Sequence, residues 1–208
     1  MTRSVRNPTP ATTNGKRLNK RFPVLQPNHP AIPFTLPSLD GSLWQMSSLA
    51  GKPYLLAFFR FASCPFCNLR LHQLISRQDK LPDDFTIVAV FESSLSELQR
   101  YAERHDSPFP ILADEGGVIH GQYSIRHSWL GVLKGMLFRF PSLLYAMFKK
   151  GYVPLTIGGR LNTMPADFLV DRQGIIQEAY YGRDEGDHLD FERIRQFAWH
   201  QVGAQSSN

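Results

Sequence analysis

The chain contains two cysteines, and both fall in one tetrapeptide, Cys64-Pro65-Phe66-Cys67. Two thiols three residues apart can exchange between dithiol and disulfide if they share the first turn of a helix. A thiol at a helix N-terminus is stabilised as thiolate by free backbone N–H groups and by the helix dipole. Pro65 suits the first helical position, where its missing N–H leaves nothing unpaired. Arg60 and Arg70 stand close by, and no acid occurs between Gly51 and Gln78 to oppose an anion. These residues predict an exposed, nucleophilic Cys64 and a resolving Cys67. A zinc site would need two further ligands that no spacing supplies. Covalent haem attachment would need a histidine where Asn68 stands. Neither a metal nor an organic cofactor is expected.

The elements that must position this dithiol are legible in the pattern around it. Tyr54 to Phe61 is an apolar run after Gly51-Lys52-Pro53 and reads as a central strand covered on both faces. A helix follows from Pro65 to about Arg77. Phe85 to Phe91 is a second buried strand, and Ser94-Leu95-Ser96-Glu97 is a capping box opening a helix to about His105. Phe109 to Ala113 is a third strand, with a short helix near Gly117 to Tyr123. Ala166 to Val170 and Ile175 to Tyr181 form a strand pair around Asp171-Arg172-Gln173-Gly174, and a last helix runs from about Asp187 to Gln201. Before all of these, Pro33 to Trp44 alternates apolar and polar residues around Asp40-Gly41, a hairpin signal. The predicted fold is α/β, with a mixed central sheet flanked by helices, an N-terminal hairpin and a helical insertion before the late strand pair.

These elements, with Cys-x-x-Cys after the first central strand and Met164-Pro165-Ala166-Asp167-Phe168-Leu169-Val170-Asp171 late in the chain, resemble the thioredoxin fold. Leu36-Pro37-Ser38-Leu39-Asp40-Gly41 and Phe109-Pro110-Ile111-Leu112-Ala113-Asp114 resemble the alkyl hydroperoxide reductase/thiol-specific antioxidant branch, the peroxiredoxins. Phe58-Phe59-Arg60 leading into Cys64-Pro65-Phe66-Cys67-Asn68-Leu69 is similar to the bacterial dithiol-bearing members. The resemblance covers residues 31 to about 200. It implies that Cys64 takes the attacking, peroxidatic position and Cys67 the resolving one. It also sets Pro165 where thioredoxins hold a cis-proline against the dithiol. The family's Thr and Pro, three and seven residues before the attacking Cys, are replaced by Phe61 and Ala57, and its Arg aligns with Pro165. Ser63, Arg60 and Arg160 are the candidates to stand in, and the departures weigh toward dithiol–disulfide exchange.

The resulting expectation is a thiol-dependent oxidoreductase with an antioxidant role. It would reduce hydroperoxides through a Cys64 thiolate resolved by Cys67, then be recharged by an external thiol such as a thioredoxin, a glutaredoxin or glutathione. The rivals are a protein disulfide reductase without useful peroxidase activity and a redox-sensing binding module.

Charge and composition bound the remainder. The net charge is +5, yet Asp and Glu are absent before Asp40 and again from 116 to 166, and each stretch carries six cations. The rest of the chain is therefore acidic, at −7. Nothing in that acidic body suits nucleic acid. Seven of the fifteen prolines precede residue 38, and residues 1–30 are expected to form a disordered basic tail before a single domain at 31–203. The start lacks an apolar run of seven, so a cytoplasmic protein is expected. Residues 128–155 form a hydrophobic, basic insertion interrupted by Lys134, Arg139, Pro141 and Lys149, too broken to span a bilayer. It reads as a helical pair packed on the domain, as a homodimer face, or as a basic surface making weak contact with a membrane or an apolar hydroperoxide.

Overall fold

The computed structural model describes residues 22–102, 105–152 and 159–203. Its centre is a five-stranded mixed sheet of β3 (Tyr54–Phe59), β4 (Thr86–Phe91), β5 (Ile111–Ala113), β6 (Ala166–Val170) and β7 (Ile176–Tyr181). The strand order is β5-β4-β3-β6-β7. The first three strands run parallel, while β6 is antiparallel to β3 and to β7. Strands β1 (Thr35–Pro37) and β2 (Leu43–Gln45) pair separately as the expected hairpin. Gly41 adopts a φ of 84° in its turn, a conformation that suits glycine, and Asp40 Oδ1 accepts the Ser42 N–H at 3.0 Å.

Alternation along β3 explains why every residue of it is apolar. Leu55, Ala57 and Phe59 point into one core, and Tyr54, Leu56 and Phe58 into the other. The first core is roofed by α1 (Pro65–Ile75), α2 (Leu95–Ala102) and α6 (Phe191–Gly203), through Leu71, Leu74, Leu98, Ile194 and Ala198. Each fully buried leucine contributes about 1.5–3 kcal/mol. The second is closed by α3 (Val118–Gln122) and by the hairpin, through Ile119, Phe34 and Leu36. Asp114 clamps this side: its carboxylate accepts from the Ile119 and His120 N–H groups at 3.2 and 2.8 Å. The His120 ring lies between Asp114 Oδ2, at 2.6 Å, and the Phe59 carbonyl at the end of β3, at 2.9 Å.

The element order follows the sequence pattern, with informative differences. Helix α6 begins at Phe191 rather than near Asp187. Asp187 is drawn into the preceding loop, accepting from Tyr180 Oη at 2.6 Å and the Arg183 N–H at 2.8 Å, and Asp190 instead accepts the Glu192 N–H at 2.8 Å. Of the expected tail, residues 1–21 lie outside the described residues. The packed body reaches back before residue 31. Leu25 is buried with its N–H donating to Tyr181 Oη, and the Asn28 N–H donates to the Ile176 carbonyl at 2.8 Å, lengthening the pairing at the β7 edge.

Within the insertion, α4 (Trp129–Phe138) and α5 (Phe140–Leu144) are followed by a π-turn over Tyr145–Lys149. Residues 153–158 lie outside the described residues. The insertion packs on the domain with its small residues inward: Gly131 and Gly135 of α4 and Ala146 of the π-turn are buried. A Cβ on Gly131 would stand 2.6 Å from Met164 Sδ and 2.9 Å from the Arg183 carbonyl oxygen, so α4 lies closer to the body than any larger residue permits.

Candidate active site

Cys64 occupies the N-cap of α1, with extended backbone angles, and Pro65 opens the helix. Strand β3 delivers the chain to this point between two hydrogen-bonded neighbours, so the turn Arg60 to Ser63 starts from the most constrained position in the sheet. The turn is closed by Cys64 N–H donating to the Phe61 carbonyl at 3.0 Å and by Ala62 N–H donating to Ser93 Oγ at 2.8 Å. Asn68, one helical turn on, fixes it from beneath. Its side-chain amide donates to the Ala62 and Cys64 carbonyls at 2.7 and 2.9 Å, while its Oδ1 accepts from His105 Nε2 at 2.8 Å.

Both thiols are free and both are buried, each about 1% exposed. The Arg60 NH1 lies 3.8 Å from Cys64 Sγ. Burial pushes the Cys64 thiol up, but hydrogen bonding from the Cys67 thiol and N–H, together with the Arg60 charge, outweighs it and leaves the pKa lowered to about 7. Cys67 goes the other way, held well above the ordinary thiol value by burial and by the Cys64 thiolate beside it. Of the two thiols, Cys64 is therefore the one that ionises near neutral pH and Cys67 the one that keeps its proton.

Arg60 is itself buried and held on three sides. NH1 pairs with Glu185 Oε1 at 3.2 Å, NH2 donates to the Leu161 carbonyl, and the guanidinium lies 5.2 Å from the centre of the Phe61 ring. Burial raises the Glu185 pKa, and Arg60 works against that rise. Among the described residues Glu185 Oε2 has no hydrogen-bond partner, and it sits under Gly135 of α4, where a Cβ would stand 2.3 Å from it. A buried thiolate, a buried cation and a buried carboxylate thus form one chain beneath the insertion.

The sequence model of the AhpC/TSA family matches residues 27–179, most of the chain and all of this site except Glu185. The chain belongs to the AhpC/TSA family. Among curated relatives, it is 26% identical over 123 residues to chloroplastic peroxiredoxin Q of Populus jackii, covering 59% of this chain and 55% of that one. It is 24% identical over 140 residues to peroxiredoxin Q of Sedum lineare, covering 67% and 72%. The chain thus spans about half the length of the first of these relatives. Among solved structures, the peroxiredoxin-like protein from Aquifex aeolicus superposes with a TM-score of 0.64 at 9% identity, covering 87% of this chain and 90% of that one. Peroxidoxin BcpB from Mycobacterium tuberculosis gives 0.60 at 13%, covering 85% and 97%. At these identities the structures establish a shared thioredoxin-like fold.

Against that AhpC/TSA background, the residues singled out from sequence divide. Arg60 meets Cys64. Ser63 is buried in the turn immediately before it. Pro165 is buried, but among the described residues no peptide bond is cis, so it is not the cis-proline that the thioredoxin resemblance implies. Its carbonyl accepts the Gly182 N–H at 2.9 Å, and it serves as the residue that leads into β6. Arg160 is more than half exposed; its Nε is 3.6 Å from Glu92 Oε1 and its NH1 3.2 Å from His127 Nε2. Arg70 donates to the Leu189 carbonyl at 2.6 Å, so its charge is engaged away from the thiols.

Two corrections concern what surrounds the dithiol. Cys64 is buried rather than exposed, and the Arg60 beside it is tied to Leu161 and Glu185, with α4 packed on Glu185. Glu185 itself was not anticipated. It lies 125 residues beyond Arg60, inside an acid-rich stretch that reads as a solvated loop, and no local spacing marks one acid there as buried.

Proposed function

We propose that this protein is a thiol-dependent peroxidase, reducing hydroperoxides through Cys64 and Cys67 without a metal or an organic cofactor. The observation that carries it is the Arg60 guanidinium at 3.8 Å from a Cys64 sulfur whose pKa is lowered to about 7. The thiolate attacks the terminal peroxide oxygen, the O–O bond breaks, and the departing alkoxide or hydroxide takes up a proton as alcohol or water. Arg60, the nearest cation, balances the charge that passes from sulfur to oxygen. Cys64 is left as sulfenic acid. The Cys67 thiol then attacks the Cys64 sulfur, losing its proton as the hydroxyl leaves as water, and a 64–67 disulfide forms. Two electrons from an external thiol donor, one dithiol of the thioredoxin or glutaredoxin kind or two molecules of glutathione, restore both thiols. A cytoplasmic setting supplies such donors.

A disulfide reductase is the second reading, favoured by one observation. The position three residues before Cys64 is the buried, apolar Phe61, which offers no hydroxyl to a peroxide oxygen. In that chemistry Cys64 attacks a substrate disulfide, one substrate thiolate leaves, and Cys67 displaces the other. Stopped-flow measurement separates the two. The reduced protein is mixed with hydrogen peroxide, with cumene hydroperoxide and with an oxidised protein disulfide, and formation of the 64–67 disulfide is followed in each. Fast oxidation by either peroxide, abolished in Cys64→Ser, supports the peroxidase; slow reaction with both beside fast exchange with the protein disulfide assigns the reductase instead.

A further inference from the structure

Helix α4 is oriented the reverse of an ordinary surface helix. Its glycines, Gly131 and Gly135, are buried against the body, while Leu130, Leu133 and Leu137 are 76%, 64% and 71% exposed. Phe138 and, from the following turn, Phe148 extend the same kind of surface at 72% and 79% exposed. A run of large apolar side chains held in water by a small-residue seam marks a surface that meets something apolar.

We propose that this face lies on an anionic lipid surface, with α4 and α5 flat against the bilayer. Charge argues for that occupant. No acid occurs from 116 to 166, and Lys134 and Lys149 stand exposed among the apolar side chains. Basic residues beside an apolar helix face suit the headgroup region of a bilayer containing acidic lipids. A second copy docked on the same face by a twofold axis would bring these lysines toward their own equivalents, with no carboxylate from the segment to pair with them. Length argues the same way: α4 has 10 residues, and among the described residues no helix is long and apolar enough to cross a membrane. Trp129, at the start of α4 and 64% exposed, adds a side chain suited to the boundary between tails and headgroups. This surface is independent of the dithiol chemistry, whichever substrate proves correct.

The test is co-sedimentation of the full-length chain with vesicles of phosphatidylcholine mixed with phosphatidylglycerol, and with phosphatidylcholine alone. Partition onto the mixed vesicles, weak on phosphatidylcholine and falling with salt, is expected. Leu133→Glu/Leu137→Glu should lower it by about tenfold or more, since two leucines no longer leave water. Lys134→Glu/Lys149→Glu should lower it on the mixed vesicles and flatten the salt dependence. Both variants change exposed residues and should keep the parent's thermal midpoint; if the leucine variant does not fold, the lysine variant decides. Unchanged partition in the folded variants would show that the basic N-terminal stretch binds instead, and would overturn the proposal. So would the absence of vesicle binding, with a concentration-dependent dimer that the leucine variant dissociates, or equal binding to both kinds of vesicle.

Discussion

Replacing Arg60 with methionine removes the charge on which the reactivity of Cys64 rests while keeping an apolar side chain of similar length. Arg60 NH1 is 3.8 Å from Cys64 Sγ. At an effective dielectric of ~20, opposite charges at that separation attract by about 4 kcal/mol, or about 3 pK units. The net effect is smaller because Glu185 opposes it. With Arg60 gone, nothing compensates the buried Glu185 carboxylate, so it takes up a proton and ceases to repel the thiolate. With roughly half the attraction cancelled, the Cys64 pKa should rise from about 7 by about 1.5 units. At neutral pH the thiolate fraction then falls from about one half to about 3%, roughly a fifteen-fold loss of rate, most of which returns at about pH 10. The assay is iodoacetamide alkylation of reduced Cys67→Ser and Arg60→Met/Cys67→Ser proteins across pH, read by mass spectrometry at Cys64. Arg60→Lys should lie between the two. A Cys64 midpoint still near 7 in the methionine variant would refute the assignment of Arg60 as the stabilising charge.

Three further outcomes follow from the same geometry. Cys67→Ser should stop at a dimedone-reactive Cys64 sulfenic acid after one equivalent of peroxide, with no intramolecular disulfide by mass. Gly135→Ala puts a methyl group 2.3 Å from the present Glu185 Oε2 position, so the carboxylate must move; denaturant melts should show a loss of about 1–3 kcal/mol, and disulfide-probe labelling of the buried thiols should quicken. Asp114 is pushed up by burial, but its hydrogen bonds from His120 and Ile119 and the His120 charge outweigh that and lower its pKa. A folded pKa below the unfolded value of about 3.9 gives stability that is present above that pH and lost as pH falls through the folded pKa. Urea melts at about pH 6 and about pH 3 should therefore show a larger acid loss in the parent than in Asp114→Asn, which starts lower.

The fold was legible because its central strands are apolar on both faces and its turns carry Asp and Gly where the backbone needs them. Cys64, Cys67 and the start of α1 were legible for the same reason: the chemistry there is local, four consecutive residues at a strand-to-helix junction. What surrounds them was not. The partners of Arg60 come from residues 161 and 185, and the residue packed on Glu185 is Gly135 of α4, all remote in sequence. The insertion misleads in a particular way. Its leucines and phenylalanines suggest a buried face, yet the packing decision rests with Gly131 and Gly135, whose small size lets the backbone approach. Arg160 is a candidate on sequence grounds to stand in for the family's Arg, and its ion pair with the buried Glu92 is a contact that no local spacing marks.

The Arg60–Cys64 contact also has an electrochemical meaning. A thiolate held below its ordinary pKa stabilises the reduced dithiol more than the disulfide, so the couple becomes more oxidising, by about 30 mV for each 1.4 kcal/mol. Arg60 follows directly on a strand paired on both sides and cannot easily withdraw, which makes that bias a fixed property of the fold. A 64–67 disulfide should on this account be easier to reduce than one between two unperturbed thiols, by a margin that grows as pH rises above about 7.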